Sequence, residues 1–206
     1  YLRRTSMKKL LFIFAAISVL ALTAFASNRT QTLRFDIALD GTTMVGFLSP
    51  NGPPQRGNTF IINGKLFPAG TLQPGSQQND PNDASNIGDF YCRATFANNV
   101  PAAPELPELF NTQLFRFRSH NQGITGGIGS FGIPGNIFGN LPDINQLTTE
   151  GIESAAPGTT WTRVVTGGTG IYLGVSGSET IQTIGTNASG GFNERVIFKL
   201  IERSDD

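Results

Sequence analysis

Few side chains in this sequence have the chemistry of a catalyst, and each of them has a plain structural alternative. His120 is the only histidine, so a Ser-His-Asp site would depend on it. No Gly-x-Ser-x-Gly elbow exists, and Gly174-Val175-Ser176-Gly177 lacks the spacing. Cys92, the only cysteine, could pair with His120 as thiolate and base. On the alternating face it shares with Phe90 and Phe96, it reads equally as a small inert core residue. Zinc needs three or four ligands, commonly several His or Cys, and the chain lacks them, so no metal is expected. The run Asn79-Asp80-Pro81-Asn82-Asp83-Ala84-Ser85-Asn86 is rich enough in oxygen donors for calcium, but without the EF-hand spacing. Asx turns account for the same letters. Gly127-Ile128-Gly129-Ser130-Phe131-Gly132 spells Gly-x-Gly-x-x-Gly, yet Ile133-Pro134-Gly135 follows and no helix can start there to face a pyrophosphate. The expected list of cofactors is empty.

The elements available to position such residues are strands. Leu33, Phe35, Ile37 and Leu39 alternate on one face of residues 33–39. Thr59–Ile62 runs into Asn63-Gly64 and then Lys65–Phe67, a pattern that predicts a tight hairpin turn because both turn residues accept positive φ. Residues 90–96 alternate Phe90, Cys92, Ala94 and Phe96 against Tyr91, Arg93 and Thr95, and in 114–118 Phe115 and Phe117 face away from Arg116 and Arg118. Residues 161–165, 171–175, 179–184 and 196–201 complete about eight candidates. Only Pro104–Asn111 can make a helical turn, and Pro107 interrupts it. Many short strands with turn residues between them predict an all-β sandwich or barrel. The Gly-, Ile- and Phe-rich stretch Gly123–Gly139 is either a lid over a barrel mouth or a loop without structure.

The ends bound the setting. Met7-Lys8-Lys9, the apolar run Leu10–Ala21 and the small residues Ala24 and Ala26 follow the order of a bacterial-type secretory signal. Residues 1–26 are therefore expected to be an N-terminal extension and signal peptide that is removed, Tyr1–Ser6 preceding the expected start at Met7. The remainder, 27–206, is expected to form one domain, periplasmic or extracellular, with no membrane span after cleavage. Removing residues 1–26 takes four of the fifteen basic residues and none of the fifteen acidic ones, leaving a charge of −4. No basic stripe survives, so nucleic acid is not an expected partner. A lone cysteine excludes an internal disulfide, and stability must come from sheet and core.

One segment is distinctive. Val164-Val165-Thr166-Gly167-Gly168-Thr169-Gly170-Ile171-Tyr172, continuing through Gly174-Val175-Ser176-Gly177, resembles the hallmark hairpin of the allene oxide cyclase and dirigent superfamily. Gly167, Gly168 and Gly170 suit a tight, bulged turn, and Gly174 and Gly177 let the next strand bend. Gly57–Phe67, Ile87–Cys92 and Val196–Ile201 are similar to other strand entries of that superfamily, so the pattern spans roughly residues 33–201. The likeness is nearest to a bacterial branch with an allene-oxide-cyclase-like barrel. It implies an eight-stranded antiparallel β-barrel of calycin type with an apolar cavity, often in dimers or trimers, with Gly123–Gly139 as an insertion. Members order a reactive molecule rather than attack it, by proximity and orientation.

The resemblance also implies one acidic position. Phe35-Asp36-Ile37 is similar to the acidic first-strand motif, which makes Asp36 a candidate catalytic carboxylate in the lumen. The alternative is an Asp36 that points outward beside Arg34. Phe60, Ile62, Phe90, Phe96 and Phe117 are the candidate lumen residues for a small apolar ligand. Two functions follow: a secreted barrel that binds such a molecule and guides its cyclisation or coupling, as a cofactor-free cyclase, isomerase or dirigent-type protein, or a non-enzymatic scaffold whose barrel is filled by its own side chains. An apolar void of a few hundred Å3, about the size of a ligand pocket, would favour the first.

Overall fold

The computed structural model describes residues 29–47, 55–75, 79–98, 108–118, 145–154 and 158–202. The expected signal segment, His120 and Gly123–Gly139 lie outside the described residues. Eight strands, β1 (Arg29–Phe47), β2 (Thr59–Pro68), β3 (Gly88–Phe96), β4 (Leu109–Phe117), β5 (Asn145–Glu153), β6 (Thr160–Thr169), β7 (Ser176–Thr186) and β8 (Phe192–Glu202), pair antiparallel in chain order. β1 closes the ring. Its Arg29–Ala38 half pairs with β8, and from Phe35 onward it pairs with β2. The sheet is thus a closed barrel with no free edge along its wall.

The alternation in the sequence decides which side chains enter the barrel. Leu33, Phe35, Ile37 and Leu39 of β1 join Phe90, Phe115, Phe117, Val196, Phe198 and Leu200 in one core. Phe35 stands at its centre, with ring centroids 5.6 Å from Phe115, 5.4 Å from Phe117 and 5.6 Å from Phe198. The first two are edge-on and the third stacked, and such pairs add about 0.5–1.5 kcal/mol each beyond the area they bury. A smaller cluster of Ala38, Phe67 and Leu72, with Ile184 against it, sits on the other face of the wall beneath the β2–β3 connection.

The glycine-rich hairpin does much of the bending. β6 ends in a 3-10 turn, Gly170–Tyr172, before β7 begins. A Cβ on Gly168 would lie 2.6 Å from the Tyr172 carbonyl oxygen, so the bare backbone lets the turn fold back and drop Tyr172 into the core. Its ring lies 5.4 Å from that of Phe117. At Gly177 (φ 148°) a Cβ would meet the Lys199 carbonyl oxygen at 2.1 Å. The expected bulge is present one residue earlier: Thr148 pairs with Gly167 and Thr149 with Val165, which leaves Thr166 as the extra residue.

Three local expectations are corrected. Asn63-Gly64 is not a turn but the middle of β2, paired on both sides; a Cβ at Gly64 would approach the Ala38 carbonyl oxygen to 2.7 Å, so this glycine serves close backbone approach. Residues 171–175 form the 3-10 turn and its exit rather than a strand. The helical turn expected to end at Asn111 gives way to β4, whose Leu109–Asn111 pair with β3.

Candidate functional site

The two ends of the lumen differ. One end is filled by Phe35, Phe115, Phe117, Phe198 and Tyr172. At the other, where β2, β4 and β8 begin, a cavity of about 90 Å3 remains. Leu39, Met44, Phe60, Ile62, Phe90, Leu109 and Phe192 make its apolar wall, and Cys92, Gln113, Glu153 and Glu194 its polar one. Met44 is half exposed and marks the rim. The ends of the Gly-rich connection, Phe117 and Asn145, pair with each other at the filled end.

Behind the polar wall lies a buried charge cluster assembled from three neighbouring strands and β8. Arg163 of β6 is paired with Glu153 of β5 and holds Glu179 of β7 at 3.3 Å, while the Thr149 hydroxyl donates to the same Glu179 oxygen at 2.8 Å. Gly151 makes room for the arginine: a Cβ there would touch its Cγ at 2.9 Å. All four charged residues, Glu153, Arg163, Glu179 and Glu194, are under 9% exposed. Two carboxylates thus contact one guanidinium, and Glu194 feels its charge. Burial drives the Glu179 carboxyl above the ordinary carboxylate range, against the pull of Arg163. Burial also raises Glu194, offset by Arg163 and reinforced by Glu179, to about 7. Around neutral pH the raised pair of carboxyls, Glu179 and Glu194, therefore holds a proton.

Several polar atoms in this layer have no hydrogen-bond partner among the described residues: Glu194 Oε2, Gln113 Oε1, Glu179 Oε1 and Arg163 Nε. Buried polar atoms without partners cost about 1–3 kcal/mol each, so this layer is expensive for the fold to keep. Cys92 is no nucleophile here, since burial pushes its thiol up to about 12.

Of the sequence candidates, Phe60, Ile62 and Phe90 line the cavity. Phe96 backs Phe60 with a centroid distance of 5.9 Å, and Phe117 belongs to the filled end. Asp36 is buried but on the opposite face of the wall, where its carboxylate accepts from the Leu72 N–H at 3.0 Å and from Arg195 Nε at 3.1 Å. It ties the β2–β3 connection to the barrel and does not touch the lumen cavity. The residues at 79–86 form Asx turns, with Asp80 and Asp83 accepting from the backbone of Asn82 and Ser85. Sequence reading missed Glu153, Arg163, Glu179 and Glu194. The available signal was position: Glu194 lies two residues from Phe192 and from Val196, and Arg163 two from Trp161 and from Val165, all facing inward.

No protein-family model matches the sequence, and no curated protein matches it. Among solved structures the fold is shared with a pterocarpan synthase dirigent protein (TM-score 0.55, 15% identity, 86% of this chain and 97% of that one). A second pterocarpan synthase dirigent protein matches at TM-score 0.55 and 14% identity, over 87% of this chain and 94% of the other. A nonspecific heme-binding cyclase that catalyses a [4 + 2] cycloaddition matches at TM-score 0.50 and 10% identity, over 100% of this chain and 78% of that one. The fold expected from the glycine hairpin is the fold observed: a closed eight-stranded barrel of the dirigent type.

Proposed function

We propose that this dirigent-type barrel binds one small, mostly apolar molecule in its mouth cavity and, by fixing that molecule's conformation, directs its cyclisation or coupling. The observation that carries this reading is an apolar cavity whose inner wall ends in a buried carboxyl group with a free oxygen, Glu194. Apolar walls and one or two placed polar groups are the usual composition of a ligand site. Two barrels of this fold are pterocarpan synthase proteins and a third is a cycloaddition cyclase, which supports the choice of reaction class.

The mode of action is orientation. Holding reacting atoms in a near-attack geometry removes a large part of a barrier without any nucleophile, and burial of Cys92 disfavours its thiolate. Glu194 adds a charge or hydrogen bond at the polar end, where a developing positive centre is stabilised. The cavity's 90 Å3 falls short of the few hundred Å3 expected of a whole ligand pocket, and is smaller than the roughly 150 Å3 that takes benzene in an engineered protein core. The buried part of the ligand is therefore a few heavy atoms, either a whole small molecule or the tip of a larger one entering past Met44.

Ligand-observed NMR with apolar alcohols and amines of four to seven carbons tests the reading, using the wild type and Phe60→Trp, which fills the cavity from its rim. Binding by the wild type and its loss in the variant are the expected results. If no probe binds, or if Phe60→Trp binds as well as the wild type, the cavity is not a ligand site and the barrel is a packed scaffold.

A further inference from the structure

Resting on the reading that the mouth cavity holds a ligand, we propose that the polar end of that ligand is a cationic nitrogen, an ammonium group seated against Glu194 and Gln113. Three observations converge on it. The first is charge: Glu153, Glu179 and Glu194 outnumber the single cation, Arg163, found with them among the described residues. The second is the kind of atom left without a partner. Gln113 hydrogen-bonds with the Cys92 thiol while its Oε1 stays unpartnered, and Glu194 Oε2 is likewise unpartnered. Both residues line the cavity and are at least nine-tenths buried, and both atoms accept hydrogen bonds. With Glu194 ionised, no unpartnered buried side-chain donor is found among the described lining residues. An ammonium group brings three donors and no acceptor, the complement of this wall. The third is the apolar wall itself, to which Phe60, Phe90 and Phe192 bring aromatic rings, the kind of surface that can attract a cation.

Against the ionised wall, a carbonyl or carboxylate end would meet acceptors and excess negative charge, and a hydroxyl would satisfy one acceptor only. The ammonium also replaces a proton. Free Glu194 faces Arg163 from β6, Glu179 from β7, Glu153 from β5 and Cys92 from β3, while Leu39 from β1, Phe60 and Ile62 from β2 and Gln113 from β4 bring no titratable group. A bound cation favours the ionised carboxylate, so binding at neutral pH releases a proton from Glu194.

The test uses the purified wild type and Glu194→Gln with isobutylamine, isobutanol and isobutyrate, three probes of nearly one shape that differ in charge. Affinities are read by NMR titration between pH 5.5 and 8.5, a range in which the amine stays protonated. At pH 8, isobutylamine should bind at least about tenfold more tightly than isobutanol, as expected for a desolvated charge pair, and isobutyrate should not bind. The amine's affinity should fall as pH drops below 7, by up to about tenfold per unit, while that of the alcohol stays level. In Glu194→Gln the preference for amine over alcohol should shrink to about twofold or less, the charge partner being gone. If isobutanol binds the wild type as tightly as isobutylamine, or if Glu194→Gln keeps the preference, the cationic nitrogen is refuted while the ligand site stands. If none of the three probes binds, the ligand site falls with it.

Discussion

Replacing Glu194 by glutamine should make the protein more stable at pH 8 and leave it nearly unchanged at pH 4.5. The carboxyl is buried, and its pKa rises from an ordinary 4.5 to about 7 in the folded chain. Between those values the folded state holds a proton that the unfolded state has already lost. Stability therefore falls as pH rises, by about 1.4 kcal/mol per unit for one proton. Across the window from 4.5 to 7 this amounts to about 3 kcal/mol, and above pH 7 the loss is complete. Glutamine keeps the shape and cannot ionise, so the variant escapes the loss. Arg163 keeps Glu153 and Glu179 as partners, so no charge is orphaned by the change. Urea unfolding followed through Trp161, the only tryptophan and packed against the core, reads the difference directly. At about 2–4 °C per kcal/mol for a domain of this size, the melting temperature at pH 8 should rise by roughly 6–12 °C. A wild type whose stability is flat from pH 5 to 8, or a variant less stable at pH 8, would refute the charge reasoning.

Two further outcomes test the frame around the site. Asp36→Ala should cost about 1–3 kcal/mol, because the buried Leu72 N–H loses its acceptor, and hydrogen exchange should quicken at Leu72. Probe binding in the cavity should be unaffected, since Asp36 faces the other side of the wall; lost binding would show that the β2–β3 connection shapes the mouth. Gly168→Ala should destabilise the fold by about 1–3 kcal/mol through the clash with the Tyr172 carbonyl, measurable in the same urea titration. A neutral result there would mean that the turn relaxes without cost.

The barrel was legible because period-two alternation and the glycine pattern carry backbone information locally. β1 and β3 could be written down from Leu33 to Leu39 and from Phe90 to Phe96, and the bulged hairpin from Gly167 to Gly177. β5 was not legible, because its inward residues beyond Leu147 are Thr149, Gly151 and Glu153, polar or small where an inward face is expected to be apolar. The reason is the site: this strand lines the polar half of the lumen. Asn63-Gly64 misled because a strong local turn signal was overridden by pairing on both sides, which no short window contains. The charge cluster draws on Glu153, Arg163, Glu179 and Glu194, from four strands, and only the closed register brings them together.

Parity along a strand separates the carboxylate that faces the lumen from the one that does not. Asp36 has Arg34 and Ala38 two residues away, both outside the main core, whereas Glu194 has Phe192 and Val196, both packed in it. The same test admits Arg163, between Trp161 and Val165. A barrel that served only as a filled scaffold would gain from apolar residues at these positions, since well-packed hydrophobic groups commonly match or exceed a buried ion cluster in stability by about 1–4 kcal/mol. Here the ions stay, a space is left beside them, and the acceptors on that space are unpartnered. Local rules of packing broken together around one space are the usual mark of a functional site. A Glu194→Gln protein that gains stability and loses its preference for ammonium would join the two halves of this argument, because one carboxyl would then account for both the cost and the use.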